Sequence, residues 1–427
     1  MRALQERRGK PSVTPPPEFT IPVGLRLTAK AESRLNWHLT LDDTGVLEKC
    51  RRCNTVYGPK RFKPLGPRVT HPLDLPIGRK AAYLTVSRNR FSCVACGHVF
   101  CLPVRELDEG RRGLTSRLVH YLKARVLESP PAELVTLTHV SIPTLTRLAT
   151  ELILELDAMR TIDVPRFLGV FSCVTPRCEF GFITNAETGT LIDFLPDAGT
   201  DTLGEWFQRL GSRTSTIETV QIELCEAHRS ILYNSLPGVQ LVASWSCIDK
   251  IAKSLLMQSA NRLGTMGWTV RRKLERDGTL LQRSPGTLSS KEKERVEFIL
   301  KRDSSLRLNY ELTHKLGTIR AASSRAEALS YYREWRNLIP ATHVRHFEPV
   351  LSTLEEWDDQ LLDSLSLPQE SLDHADGIRH IVREVNRNAA GYSFQQLRGR
   401  MLFSKQIQQR ISRLALQTGR KTKEMEA

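Results

Sequence analysis

Hydrophobic and polar positions change their period near residue 167, and this change divides the chain into two parts. Polar and apolar residues alternate over 81–91, which predicts a β-strand. Apolar residues recur at helical spacing over 118–126, and comparable runs predict a short helix over 132–138 and a longer one over 142–157. From residue 167 onward, short apolar runs bounded by turn residues predict strands instead. A strand followed by helices therefore precedes an α/β region.

The α/β region has a regular order of elements. Strands are predicted at 167–171, 180–185, 191–195, 219–224 and 239–245, and helices at 203–210, 227–235 and 248–263. The order is therefore three strands, and then helix, strand, helix, strand and helix. This is the order of an RNase H-like α/β domain. Long helical segments rich in Lys and Arg fill 265–360, and a final helix and turn occupy 376–402.

Two pairs of cysteines flank the strand-rich segment near the N-terminus. Cys50 and Cys53 form one CxxC pair, and Cys93 and Cys96, followed by Gly97, form the other. Thiolates two residues apart can share one tetrahedral ion, and a glycine after the second pair permits a tight turn. The alternative is two unrelated CxxC pairs in a reduced protein. The spacing predicts a four-cysteine zinc ribbon with a structural Zn²⁺.

The two helices after this segment form a candidate helix-turn-helix. Ser141 is placed to cap the second helix, and Pro143 lies in its first turn, where proline is tolerated. Any helical hairpin gives a similar pattern, so the position beside a zinc ribbon in a basic chain is what favours DNA recognition. The residues predicted to contact DNA are Thr144 and Arg147 on the second helix and Arg111, Arg112 and Arg117 before it.

Composition agrees with a nucleic-acid partner. The 427 residues include 62 Lys and Arg against 47 Asp and Glu, a net charge of +15. An excess of this size favours a polyanion over an acidic small molecule, although a solubilising surface is the plainer alternative. Five of the nine cysteines lie scattered outside the two CxxC pairs, which favours a reducing compartment. The lack of an apolar N-terminal leader and of a membrane-length apolar run also favours a cytoplasmic, nucleoid-associated protein.

The predicted fold is multidomain α+β, in the following order along the chain. We expect a partly extended leader (1–44), a zinc ribbon (45–104), a helix-turn-helix (105–162), the first part of an RNase H-like mixed α/β core (163–265), a basic helical insertion (266–370), the C-terminal helices that complete the core (371–415) and a disordered tail (416–427).

Separated motifs connect this order to a known family. They are Asp74-Leu75-Pro76, the segment Asp193 to Asp197, Leu354-x-x-Trp357 and Asp376-Gly377-Ile378. In their order and spacing, the chain resembles the transposases of bacterial insertion sequences of the ISL-three type. That resemblance implies a zinc ribbon, a helix-turn-helix and a DDE catalytic domain of RNase H-like fold. It further implies a double-stranded DNA partner and assembly as a homo-oligomer.

The chain departs from the family at the catalytic positions. Phe171 and Ser172 stand where the family has an aspartate followed by a glutamate, and the second aspartate falls on Glu223. The family's last glutamate corresponds to Asp376, and Arg379 stands where the family has a neighbouring asparagine. DDE chemistry needs two divalent ions held by shared carboxylates, and a phenylalanine cannot ligate either ion.

Two functions of different class follow from these departures. The first, which we predict, is a cleavage-deficient DNA-binding protein that keeps the basic helices, with Arg383 and Arg387 as further phosphate contacts. The second is an active transposase that uses Mg²⁺ with Glu223, Asp376 and a third acid sought near Ser172 or Asp193. A scaffold that does not bind DNA is disfavoured by the retained charge, although basic helix faces are often merely solvated.

Overall fold

The structure is a computed structural model that describes residues 18–58, 60–102, 104, 107, 113–176, 178–264, 268–367, 374–388 and 392–414. The chain forms two compact units. Unit 1 comprises Met1–Arg160 and Arg387–Gln406, and unit 2 comprises Thr161–Asn386 and Ile407–Ala427.

Unit 1 contains a six-stranded mixed sheet built around one long strand, β5. This strand pairs in parallel with β2 and antiparallel with β3, β4 and β6, while β1 pairs antiparallel with β2. Because β5 is long, its residues belong to two apolar clusters. Leu84 and Val86 lie in one cluster, and Cys93 lies in the other. The strands are β1 Leu25–Glu32, β2 Asn36–Asp43, β3 Phe62–Thr70, β4 Leu73–Ile77, β5 Lys80–Cys93 and β6 Val99–Cys101.

Strands β1 and β2 lie within the segment that the sequence assigned to a leader. Leu39 and Leu41 of β2 are buried in the same cluster as Leu84 and Val86 of β5. Alternate residues of a strand share one face, so β2 presents an apolar face to this cluster. The segment is therefore an integral part of the sheet. The proline triplet at 15–17 lies outside the described residues.

The helices of unit 1 pack around a separate core. The short and long helices predicted from the sequence are present, and Leu134 and Leu148 from them are fully buried. Arg400, which is 8% exposed, donates hydrogen bonds to the carbonyl oxygens of Val126 (2.8 Å) and Ser129 (2.6 Å). These helices are α1 Ser116–Lys123, α2 Pro131–Thr138 and α3 Ile142–Met159, joined by a helix at Phe394–Phe403.

Unit 2 contains a five-stranded mixed sheet in the order β11-β10-β7-β8-β9. The central strand β7 pairs in parallel with β10 and antiparallel with β8; β10 and β11 are parallel, and β8 and β9 antiparallel. This confirms the predicted RNase H-like mixed α/β core. The strands are β7 Phe167–Val174, β8 Glu179–Asn185, β9 Thr190–Leu195, β10 Thr219–Ile222 and β11 Gln240–Ala243.

The helices of unit 2 cover this sheet and extend the core beyond it. Trp206, Trp335 and Phe347 are almost fully buried in one continuous apolar cluster. No helix in the described part of the chain is long and apolar enough to span a bilayer. The helices are α4 Thr200–Leu210, α5 Glu226–Ser235, α6 Trp245–Gly264, α7 Trp268–Asp277, α8 Ser290–Leu300, α9 Ser304–Arg320, α10 Arg325–Asn337, α11 Ala341–Glu356, α12 Asp358–Asp363 and α13 Ala375–Asn388.

Candidate functional site

The two CxxC pairs of unit 1 adopt matching turns. The Asn54 amide donates to the carbonyl oxygen of Cys50 (3.0 Å), and the Gly97 amide donates to that of Cys93 (2.8 Å). Asn54 and Gly97 both have left-handed backbone conformations, with φ of 56° and 67°. Asparagine and glycine are the residues that tolerate this conformation best, which explains their place after each pair.

The four cysteine sulfurs converge on one point. They all lie within 4.8 Å of one another, with 3.7 Å between the sulfurs of Cys50 and Cys96 and 3.6 Å between those of Cys53 and Cys93. Sulfurs bound to a tetrahedral Zn²⁺ at about 2.3 Å would stand about 3.8 Å apart. Cys101 and His98 are not members of the cluster. The donor set and its spacing therefore fit a metal ion such as zinc.

The acidities of the thiols also favour a bound cation. Hydrogen bonds from Thr55 lower the pKa of Cys53 to about 6. A backbone hydrogen bond at His98 acts to lower the pKa of Cys96, but burial and the neighbouring cysteines raise it to about 12. Four adjacent thiols cannot all ionise unless a positive charge compensates them. A metal ion supplies that charge and joins the two turns.

Arg117, predicted to contact DNA phosphate, is instead paired with a buried carboxylate. Asp74 on β4 is fully buried, and its Oδ1 accepts hydrogen bonds from Thr115 Oγ1 (2.6 Å) and Arg117 Nε (2.8 Å). A guanidinium nitrogen of Arg117 also pairs with Asp74 Oδ2. This pair connects β4 to the start of α1. Arg111 and Arg112, the other predicted contacts in this segment, lie outside the described residues.

Helix α3 carries two of the predicted DNA contacts, and it places them differently. Arg147 is exposed, and the structure gives its side chain no hydrogen bond or ion pair within the described residues. Thr144 is half-buried, and its hydroxyl lies 3.0 Å from that of Ser141 in the first turn. Leu145 and Leu148 face the core. Arg147 therefore lies on the solvent side of this helix.

The residues predicted at catalytic positions come together at the end of the unit 2 sheet. Phe171 and Ser172 lie within β7, which continues to Val174 and does not end at Phe171 as predicted. Glu223 follows β10 directly, one residue after the strand ends. Asp376 lies in the first turn of α13.

Phe171 makes its part of the site apolar. Its side chain is 3% exposed and packs against Phe182, with ring centroids 5.5 Å apart. The ring of His374 meets it edge-on at 5.5 Å, and His374 Nε2 lies 2.7 Å from Thr184 Oγ1. Carbon atoms therefore occupy the position at which the sequence predicted the first acid of the family.

Glu223 and Asp376 are brought together, but a guanidinium lies between them. Arg379 Nη1 donates to Asp376 Oδ1 (2.5 Å), and Nη2 pairs with Glu223 Oε1. Its Nε donates to the carbonyl oxygen of Ser172 (2.9 Å), and the whole side chain is only 11% exposed. The Ser172 amide in turn donates to Glu223 Oε2 (2.8 Å). Arg379 is thus fixed by three hydrogen-bonding groups.

A second cation completes the charge balance. Lys250 Nζ on α6 donates to Asp376 Oδ1 at 2.8 Å. Burial acts to raise the pKa of Asp376, but its bonds with Lys250 and Arg379 outweigh this and hold the pKa below its usual range. Within this group of four side chains, the two cations balance the charges of the two carboxylates.

The sequence had shown Arg379 only as a departure from the family's asparagine. Its spacing of three residues from Asp376 on a helix is the signal that could have indicated the pair. Lys250 had no such signal, because it lies on a different helix. Asp193, considered as a third acid, is buried at 4% exposure and accepts a hydrogen bond from Trp206 Nε1 (3.0 Å). It has a structural partner instead.

The two arginines predicted to contact DNA near the C-terminus are both exposed. Arg383 lies on the helix of Asp376 and makes one long hydrogen bond, 3.4 Å from its Nε to the carbonyl oxygen of Val174. Arg387 lies one turn further along and is also exposed. Both guanidinium groups can therefore reach a solvent-side partner.

One comparison with known proteins bears on these residues. The family model DDE_Tnp_ISL3, described as a transposase, matches residues 177–401, which is more than half of the chain. The matched range includes Glu223, Asp376 and Arg379 and begins after Ser172. No curated protein matches the chain.

Proposed function

Because the chain belongs to the DDE transposase family of the ISL-three type, we propose that it binds double-stranded DNA but does not cleave it. The observation that carries this proposal is the Arg379 guanidinium, which bridges Glu223 and Asp376. In an active site of this family, carboxylates at these positions hold the divalent ions. Here they hold a side chain.

The chemistry of DNA cleavage requires more than two neighbouring acids. Two divalent ions about 3.5–4 Å apart activate the attacking and leaving oxygens of an in-line displacement. Phe171 cannot supply the ligand that would bridge them, and Lys250 would repel an ion beside Asp376. Mg²⁺ would also have to displace the guanidinium from its three partners. Each of these features supports loss of cleavage.

The distribution of charge supports retained DNA binding. A net charge of +15 favours phosphate contacts, and the exposed Arg147 on α3 is available for them. In this proposal the zinc ribbon spans 45–104 and the helix-turn-helix spans 105–162. Zinc would be structural, holding the ribbon together through Cys50, Cys53, Cys93 and Cys96. The protein would act on chromosomal DNA in the cytoplasm, as a homo-oligomer like other transposases.

DNA binding is tested by titrating short duplexes with the full-length protein at several salt concentrations. We expect affinity to fall steeply with salt, and Arg147→Ala to weaken binding similarly on every sequence. The matched control is Arg26→Gln, which removes an exposed charge from β1, away from α3. Binding that does not respond to salt would contradict the proposal.

Cleavage is tested separately, by incubating plasmid and duplex DNA with Mg²⁺ or Mn²⁺. The controls are Glu223→Gln and Asp376→Asn, which keep the shape of each side chain but remove its charge. We expect all three proteins to give the same background. Cleavage or joining that is present in the natural protein and lost in both variants would show that the site is active.

A further inference from the structure

Unit 1 contains a cavity of about 530 Å³ to which the proposed function assigns no role. It borders the end of the zinc-ribbon segment, and both polar and apolar residues line it, with arginine and histidine prominent among the polar ones. No aspartate or glutamate is found among the described residues that line it. The arginine and histidine residues that line it are Arg51, Arg68, Arg88, His71 and His98.

Two of these arginines are paired on neighbouring strands of the sheet. Arg68 of β3 is directly opposite Arg88 of β5 in the antiparallel pairing, so their side chains leave the sheet on the same face. Like charges in directly opposed positions destabilise a sheet. Neither arginine has a hydrogen-bonding or ion-pair partner within the part of the chain that the structure describes. Within the described residues, therefore, no acid pairs with either arginine to compensate their repulsion.

The side chain of Arg88 also contains a buried hydrogen-bond donor without an acceptor among the described residues. Its residue is only 6% exposed, and its Nε is buried without a hydrogen-bond partner. Buried donors in folded proteins almost always have a partner, and one attached to a charged group is costly to leave unpaired. Arg88 thus lines the cavity with a donor that lacks an acceptor. An anion with several oxygen atoms would satisfy Arg88 and relieve its repulsion with Arg68.

We propose that this cavity binds a phosphate group through Arg68 and Arg88. A phosphate offers several oxygen acceptors to planar guanidinium groups, which arginine pairs recognise well. The cavity is larger than one phosphate and lies within the usual range for small-molecule sites, so it has room for the sugar attached to that phosphate. The phosphate can come from a DNA backbone, which rests on the proposed function, or from a free phosphate compound, which does not.

The test compares the natural full-length protein with Arg88→Met, Arg68→Gln and the control Arg26→Gln. Arg26 is exposed on β1 and does not line the cavity. Each protein is titrated with inorganic phosphate by calorimetry and, in a separate arm, with a DNA duplex by fluorescence anisotropy. We expect Arg88→Met and Arg68→Gln each to weaken phosphate binding about tenfold or more, and Arg26→Gln to leave it within about twofold.

Thermal unfolding separates loss of binding from loss of folding. Without phosphate, Arg88→Met removes both the repulsion and the unpaired donor, so its unfolding temperature should equal or exceed that of the natural protein. With phosphate, the natural protein should gain stability and Arg88→Met should not. Arg68 is exposed, so Arg68→Gln gives a second variant that does not depend on a buried replacement.

The two arms distinguish the source of the phosphate and the two proposals. A selective effect of the cavity variants on DNA alone identifies a backbone phosphate, and a selective effect on inorganic phosphate identifies a free compound. If the natural protein binds phosphate but no DNA, the proposed function fails and the cavity site stands. If the cavity variants behave like Arg26→Gln in both arms, the phosphate site is refuted.

Discussion

Replacing Arg379 with leucine is the perturbation that most directly probes the bridged acid site. The variant would leave Glu223, whose side chain is 25% exposed, without its guanidinium partner, and Asp376 with Lys250 alone. Removing one partner of a buried ion pair costs about 3–5 kcal/mol. Asp376 is 53% exposed and keeps one cation, so solvent reduces its share. We expect a loss of about 3 kcal/mol, equivalent to roughly 10 °C in the unfolding temperature.

The same variant should acquire a response to divalent ions. Without the guanidinium, Glu223 and Asp376 present two carboxylates whose charge is only partly balanced by Lys250. Mn²⁺ should therefore raise the unfolding temperature of Arg379→Leu but leave that of the natural protein unchanged. The assay is thermal unfolding of the full-length protein over a Mn²⁺ titration at constant zinc.

Arg383→Leu is the matched control for this experiment. Arg383 lies on the same helix, is exposed and makes only one long hydrogen bond, so its loss should change stability by about 0.5 kcal/mol or less. Two results would refute the reasoning. One is an Arg379→Leu protein as stable as Arg383→Leu, and the other is equal stabilisation of the natural protein and Arg379→Leu by Mn²⁺.

Three further predictions concern other charged and metal-binding groups. Cys96→Ser should lower the zinc content of the purified protein, measured by elemental analysis, while Cys101→Ser should not; equal zinc in both would contradict the four-cysteine site. Asp74→Asn should cost about 3–5 kcal/mol in urea unfolding because it removes the buried carboxylate that pairs with Arg117 and accepts a hydrogen bond from Thr115, and a cost within the error of the measurement would argue against that pair. Asp376→Asn should destabilise the protein above about pH 4, and this difference should fade as the pH falls, because a carboxylate with a lowered pKa stabilises the fold only while it is ionised; a pH-independent difference would contradict this.

The core of unit 2 could be predicted because its signal is local. The apolar runs around Phe167 and Phe180 are strands that are buried in the sheet, and turn residues separate them. By contrast, β2 joins the sheet by pairing with β5, and the paired residues are 45 positions apart in the chain. Such pairing depends on contacts distant in sequence, and local periodicity does not reveal it. The sequence therefore indicated β5 but not its neighbours.

The residues of the candidate sites show the same difference between local signals and contacts distant in sequence. The four cysteines were predictable because metal ligation imposes a fixed spacing within each pair. The sequence predicts Arg117 as a phosphate contact because nothing local indicates its partner, Asp74, which lies 43 residues earlier and is fully buried. Arg379 was recognised as a departure from the family but not as a bridge. Its role depends on Glu223, which only the folded sheet brings within reach of α13.

Direct measurement of Mn²⁺ binding tests most closely the claim that Arg379 occupies the site of the catalytic metal ions. Electron paramagnetic resonance of free Mn²⁺ counts the ions bound by the full-length protein without requiring a known DNA sequence. We expect no saturable Mn²⁺ site that depends on Glu223 or Asp376, so the natural protein, Glu223→Gln and Asp376→Asn should give the same binding curve. One or two bound ions that are lost in both variants would contradict it.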